Sequence, residues 1–310
     1  RSDFRFSFEL DPVRSSPDVL FQRCAAGELV PRELPAPAYQ RRSGPNESQP
    51  ALRLYTLAQG DLLRFWDGID FLVGHDRIRW QSTGDPPPHS VELKLLGPVL
   101  ALYLERRSIL ALHASAVEVD GVAVGFLSGS GGGKSTLAAS LARSGNRLLA
   151  DDLLALRMGP EGWVALSGPP RLKLEPSVLR HLGEDPSLHP LVEPWREKRW
   201  LESKRRGKGG DGQAPISLRR LYLPDRRSGD GRGDGIEVSP LRPADAVRKI
   251  LSLGAAGRMA EAVGLRTSRI ERVARLAESV PMRRLVYPEG LRHLDRVRDE
   301  LLGDLHSGTG

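Results

Sequence analysis

Apolar and polar positions alternate in short runs through the first hundred residues, at 4–10, 52–57, 71–73 and 78–80. A period of two is the mark of a half-buried strand. Breaks rich in Pro, Gly and Ser separate the runs at 31–37, 43–50 and 84–89, and Gly68 and Gly74 fit tight turns. The region 1–92 therefore reads as a small β-rich domain with irregular loops and no catalytic constellation of its own. From 93 to 107 the apolar residues recur at helical spacing, with Gly97-Pro98 near the start. That predicts a helix entering a second domain over 93–310.

The pattern sharpens after Ser108. Two strand-like runs, 109–119 and 122–127, flank Asp120-Gly121, the strongest short-range signal for a hairpin. The second run leads straight into Ser128-Gly129-Ser130-Gly131-Gly132-Gly133-Lys134-Ser135-Thr136, and a helix is predicted from 136 to 143, with Gly145 as its cap. A short apolar strand at 147–150 ends on Asp151-Asp152, and an antiparallel pair is predicted for 153–157 and 163–166. Further on, 176–183, 244–253, 268–280 and 290–302 read as helices and 216–223 as a strand. Glycine- and charge-rich stretches at 203–213 and 226–235 read as mobile, and the last residues as frayed. No internal repeat is present.

A glycine-rich loop between a strand and a helix lets backbone N–H groups close around phosphate oxygens, aided by the positive end of the helix dipole. In such a loop Lys134 would reach the outer phosphates and the Ser135 hydroxyl would ligate Mg²⁺. The pattern G-x-x-x-x-G-K-[ST] calls for glycine where this chain has Ser128, and Gly129 stands one place late. The plain alternative is a flexible linker, but the strand before and the helix after it favour a phosphate site.

Adjacent acids at the end of an apolar strand are poorly explained by packing, because unpaired buried charge is costly. Asp151 and Asp152 could divide two tasks, one orienting a metal and one taking a proton from an attacking hydroxyl, with Asp152 and Ser135 as the metal-side pair. A solvated turn or a helix cap is the structural alternative. His113 alone would be an ordinary core histidine, and only its place beside the glycine-loop strand brings it near the acids.

Composition adds limits. The 310 residues are 39% apolar and 27% charged, without an apolar run long enough to cross a bilayer. The opening residues lack the long apolar core of a signal peptide, and the single cysteine, Cys24, excludes an internal disulfide framework and a multi-cysteine zinc site. A cytoplasmic protein with no membrane partner is the expectation. The net charge of +7 is mostly scattered arginine. Its densest stretch, around Lys204, Arg205, Arg206 and Lys208, has no interleaved aromatics, so nucleic acid is not an expected partner.

Taken together, Leu112-His-Ala-Ser-Ala-Val-Glu-Val-Asp-Gly, the loop Ser128–Thr136 and Asn146-Arg-Leu-Leu-Ala-Asp-Asp-Leu resemble the catalytic domain of HPr kinase/phosphorylase. The nearest look-alikes are HPr-kinase-like proteins of bacterial biosynthetic clusters, including lasso-peptide precursor kinases. The resemblance spans about 93–253 and is strongest from His113 to Asp152. It implies an α/β fold of the P-loop, phosphoenolpyruvate-carboxykinase-like kind, a mixed sheet with flanking helices, beside the small β-rich domain. It implies ATP, with GTP as the alternative, and Mg²⁺. It further implies Lys134 and Ser135 on phosphate and metal, catalytic roles for His113, and a general base within Asp151-Asp152. By the same resemblance Glu175 is a candidate for a later metal-holding glutamate, and Arg199, in Lys198-Arg199, for a catalytic arginine. The phosphorylase signature is missing, which favours a one-way kinase acting on a serine hydroxyl of a peptide or small protein. A small-molecule hydroxyl kinase and a non-catalytic nucleotide-binding switch remain as alternatives, and self-association is open.

Overall fold

The computed structural model describes residues 19–42, 50–203, 214–227 and 235–307. The strand expected at 4–10, the break at 43–49, the basic cluster Lys204–Lys208 and most of the two glycine-rich stretches lie outside the described residues. The chain divides into two compact units, one of residues 1–107 and 255–267, the other of 108–254 and 268–310.

Among the described residues of the first unit, six strands form one sheet: β1 (Leu20–Arg23), β2 (Tyr39–Arg41), β3 (Leu52–Leu57), β4 (Gly60–Phe65), β5 (Ile69–Val73) and β6 (Arg77–Ser82), in the order β1-β6-β5-β4-β3-β2. All neighbours are antiparallel except β1 and β6. Gly68, at φ 78°, makes the turn between β4 and β5 with backbone that side-chain-bearing residues rarely adopt. Next comes α1 (Pro88–Lys94), with proline in its first turn, then a π-helical turn, Leu95–Val99, and α2 (Leu100–Arg106). The turn is kinked at Gly97 (φ −101°, ψ −108°), because Pro98 cannot supply the N–H of a continuous helix. Val91, Leu95, Val99 and Leu102 pack with Leu52, Leu54, Phe71 and Met259 in one core. The helix expected over 93–107 thus starts earlier and belongs to the first unit, so the division falls after Arg107, not after residue 92. Its apolar stripe fills the core of the β-rich unit, and the return of residues 255–267 to that core leaves no mark in a linear pattern.

The second unit is a mixed α/β structure. Its strands are β7 (Leu110–Leu112), β8 (Ala114–Val119), β9 (Val122–Leu127), β10 (Arg147–Ala150), β11 (Leu154–Gly159), β12 (Gly162–Leu166), β13 (Arg171–Leu174), β14 (Arg199–Glu202), β15 (Ile216–Arg227), β16 (Glu237–Pro240) and, after the helices below, β17 (Met282–Pro288). Nine of them form one sheet that runs β10-β8-β9-β15-β12-β11-β7, with β17 also on β15 and β16 on β17; β13 and β14 pair separately. The run expected as one strand at 109–119 is two, because β7 pairs with β11 while β8 pairs with β9 and β10, and His113 is the break. Asp120 (φ 49°) and Gly121 (φ 82°) close the β8–β9 hairpin with positive φ at both positions, as a type I′ turn requires.

Helix α3 (Lys134–Arg143) follows the glycine loop, and α4 (Pro176–His181) and α5 (Pro243–Ser252) come later in the chain. After α6 (Ala255–Ala262), which belongs to the first unit, come α7 (Arg266–Ser279) and α8 (Leu294–Ser307). Both sheet faces are covered. Val124 and Phe126 of β9 face a core with Leu137 of α3 and Val297 of α8, whereas Ala123 and Leu127 face one with Ile250 of α5 and Val273 of α7. A strand covered on both sides needs apolar residues at every position, which is why 122–127 shows no alternation. Gly125 fits the same logic, since a Cβ there would sit 2.6 Å from a methyl of Leu221. Asp304 of α8 ties that helix to β15, accepting from Arg220 at 2.5 Å and the Tyr222 hydroxyl at 2.6 Å. Among the described residues no helix is long and apolar enough to cross a membrane.

Candidate functional site

Strand directions decide what meets at the site. β15 runs parallel to β9, and β17 parallel to β15. β10 and β9 are each antiparallel to β8, so they share a direction too. The carboxyl ends of β10, β9, β15 and β17 therefore lie along one sheet edge, together with the amino end of β8. In open α/β sheets this edge is where ligands sit. Across it, in order, come Asp151-Asp152 after β10, His113 before β8, the glycine loop after β9, Arg226 near the end of β15, and Tyr287 near the end of β17.

The loop's shape rests on two glycines at positive φ, Gly131 at 77° and Gly133 at 89°. Gly133 has a second reason, because a Cβ there would lie 2.6 Å from the Tyr287 hydroxyl. Gly132 answers the Ser128 departure from the usual pattern. A Cβ on Gly132 would lie 2.2 Å from Ser128 Oγ and 2.6 Å from its Cβ, so the serine side chain occupies space that a glycine opposite leaves free. The guanidinium of Arg226 donates to the Gly131 carbonyl and pins the loop's far side. Helix α3 starts at Lys134, and its first N–H groups have no acceptor within the helix. Ser130 and Thr136 line the same cavity as the glycines.

Lys134 is buried, and its ammonium donates to the carbonyls of Ser128 and Gly129 at 2.9 and 3.0 Å. It also lies 3.3 Å from His113 Nε2, while His113 Nδ1 lies 3.0 Å from the Asp152 carbonyl. A carbonyl only accepts, so the imidazole carries its proton on Nδ1 and presents the Nε2 lone pair to the ammonium. Burial pulls the Lys134 pKa below its ordinary value, against the opposing pull of Asp152 and Asp151.

The two carboxylates have different surroundings. Asp151 accepts from Ser115 Oγ at 2.5 Å and Ser135 Oγ at 2.8 Å through Oδ1, and from the Lys173 backbone N–H at 2.9 Å through Oδ2. Its pKa is pushed up, first by burial and then by the charge of Asp152. Asp152, held at φ 67°, lines the cavity and pairs with the Lys173 ammonium at 2.6 Å. Burial works against its ionisation, yet Lys173 in the main, with Lys134, brings its pKa below the usual carboxylate value.

His113, Lys134, Ser135 and Asp152 front a cavity of about 350 Å³ whose cationic lining includes Lys134, Lys173, Lys198 and Arg226. Three expected groups thus come together: the loop with its Ser135, His113 and the acid pair. Ser135 bonds to Asp151, whereas the sequence suggests Asp152 as its companion on the metal. Glu175 lines the cavity and sits 3.7 Å from the Lys198 ammonium. Arg199 does not reach it. As part of β14 it pairs opposite Leu174, and its guanidinium donates to the His189 carbonyl at 2.7 Å beside a neighbouring cavity. Strand alternation explains the exchange, since consecutive residues project to opposite faces and Lys198 is the one that lines the site.

Lys173, Arg226 and Tyr287 are not singled out by the sequence, and Lys198 enters there only as the neighbour of Arg199. Lys173 had a usable signal, the alternation Arg171-Leu-Lys-Leu with both leucines buried. Among the described residues no three His, Cys, Asp or Glu side chains could hold a metal by themselves. The oxygen donors Ser135 and Asp151 suit a hard cation such as Mg²⁺, which takes few protein ligands and fills its remaining positions with phosphate oxygens and water. The cationic cradle and the glycine-lined approach suit the phosphates.

No protein-family model matches the chain, and no characterised protein matches it in sequence. Among solved structures, the HPr(Ser) kinase/phosphatase from Coxiella burnetii aligns at 12% identity over 63% of this chain and 97% of that chain, with a TM-score of 0.28.

Proposed function

We propose that the second unit is an ATP- or GTP-dependent kinase that transfers the γ-phosphoryl group to a serine hydroxyl of a peptide or small protein. One observation supports this most. The Ser135 hydroxyl is bonded to a buried carboxylate, Asp151, while a second carboxylate, Asp152, faces the cavity beside Lys134 and His113. A module that only binds nucleotide has no need of the second acid. The choice of a serine acceptor rests on the sequence resemblance to HPr kinases.

The roles follow from position. The glycine loop and the first turn of α3 hold the phosphates through backbone N–H groups. Lys134 neutralises charge on the outer phosphates, with His113 Nε2 fixing its direction. Asp151 orients the Ser135 hydroxyl, and the two would hold Mg²⁺ from one side. The ion would neutralise charge on the phosphate oxygens. Asp152 takes the proton of the acceptor hydroxyl as its oxygen bonds to phosphorus and the bond to the leaving nucleoside diphosphate breaks. A carboxylate kept ionised by Lys173 is a weak base, which suffices for a loose transition state with little need of a strong nucleophile. The metal-side acid in this reading is Asp151, where the sequence had suggested Asp152.

The test is transfer from labelled ATP to serine peptides, by the native chain and by Lys134→Ala, Asp151→Asn and Asp152→Asn. The reading predicts that Lys134→Ala loses nucleotide binding and that Asp152→Asn binds but does not transfer. Nucleotide binding indifferent to Lys134→Ala would sink it.

A further inference from the structure

The cavity is chemically two-sided. Toward β10 and β8 the glycine loop meets His113 and the acids. Toward β15 and β17 it meets Arg226 and Tyr287, and the lining continues over the turn Glu289-Gly290-Leu291 to Leu294. Leu294 belongs to the buried core, whereas Leu291 is only partly buried against it. The Glu289 backbone N–H is held by the Arg227 carbonyl at 3.0 Å, which fixes the turn to the end of β15 and leaves the exposed Glu289 carboxylate at the rim. An apolar patch opening into an otherwise cationic site has no use for phosphate.

We propose that Leu291 and Leu294, with Glu289 at the rim, form the nucleoside subsite, receiving a purine ring on the apolar wall. This rests on the glycine loop being the phosphate site. The direction follows from the order of the strands. A chain of phosphates whose reacting end faces the acids must leave the loop on the opposite side, over β15 and β17. Two strand spacings, roughly 10 Å, separate β9 from β17, a span that an extended diphosphate and ribose can bridge. The exocyclic amino group or ribose hydroxyls would donate to the Glu289 carboxylate, and the ring would cover the exposed part of Leu291.

Calorimetric titration of the whole chain with ATP–Mg²⁺, GTP–Mg²⁺ and tripolyphosphate–Mg²⁺ separates the two parts of the site. The native protein is expected to bind ATP about tenfold or more tightly than tripolyphosphate, the margin that covering one leucine-sized surface supplies. Leu291→Asp should erase that margin with tripolyphosphate binding unchanged, and Leu291→Met should keep it. If Leu291→Asp does not fold, the exposed Glu289→Ala is measured in its place and should narrow the ATP margin alone. Equal affinity of the native chain for ATP and tripolyphosphate, or variants that keep the full margin, would overturn the subsite and leave the phosphate site standing. A native chain that binds none of the three ligands would overturn both.

Discussion

The Ser135 hydroxyl donates to Asp151 Oδ1 at 2.8 Å, and the same oxygen accepts from Ser115 at 2.5 Å. Both hydroxyls thus point at one oxygen of a buried carboxylate, while the Lys173 N–H bonds the other and leaves that oxygen one accepting position. Asp151→Asn keeps the shape but replaces one oxygen with an NH₂ group, a donor facing donors. The expected result is loss of phosphoryl transfer by about 10- to 100-fold, the usual scale for a group that orients a metal ligand. The Mg²⁺ dependence should move to higher concentration, read by titrating the metal at fixed ATP.

Lys173 and Asp152 give a pH prediction. The ammonium keeps the carboxylate ionised at lower pH than usual, so transfer should persist into mildly acidic solution. With Lys173→Met the charge is gone and the Asp152 pKa rises. The acidic limb of the rate profile should then shift to higher pH, with little change on the alkaline side. An acidic limb that stays in place would remove Asp152 from the proton-transfer role.

The fit of Ser128 against Gly132 can be tested by exchange. Gly132→Ala places a methyl 2.2 Å from Ser128 Oγ and should cost about 1–3 kcal/mol of stability, as overpacking does. Ser128→Gly in the same chain should return much of it. The double variant restores the usual first glycine of the loop and should bind nucleotide again. Additive losses in denaturant melts would show that the two positions do not share space.

Asp304 serves the fold, not the site. Arg220 and Tyr222 are buried and both donate to it, so Asp304→Ala strands a buried guanidinium. The expected loss is about 3 kcal/mol. Tyr222→Phe removes a single donor and should cost about 1 kcal/mol. Chemical denaturation followed by circular dichroism measures both.

Short-range features were legible in the sequence. The Asp120-Gly121 hairpin, the loop–helix junction at Lys134 and the acids after β10 are each specified by a few neighbouring residues, and the chain brings them together because β8, β9 and β10 are close in sequence. Arg226 and Tyr287 were not legible, since their place depends on parallel pairing between β9, β15 and β17, which no local pattern encodes. β17 itself went unseen because Met282–Pro288 has no clean alternation: Leu285, Val286 and Tyr287 are all buried in succession. The error at Arg199 was of another kind, a shift of one residue along an extended segment, which moves a side chain to the opposite face. The helix at 93–107 was recognised but given to the wrong unit, because periodicity tells which face is buried and not what buries it.

The parallel arrangement also sets an order of assembly. β9 needs β15 beside it, pairing Ala123 with Leu218, and β15 in turn needs β17, pairing Leu223 with Arg284. A chain emerging from the ribosome would display the glycine loop and both acids long before either strand existed, leaving the loop strand with an open edge. Such distant pairings form slowly. The half-made sheet would then be the species most exposed to misassembly and to chaperones, and a truncated product carrying every recognisable motif would still lack the wall against which the loop closes.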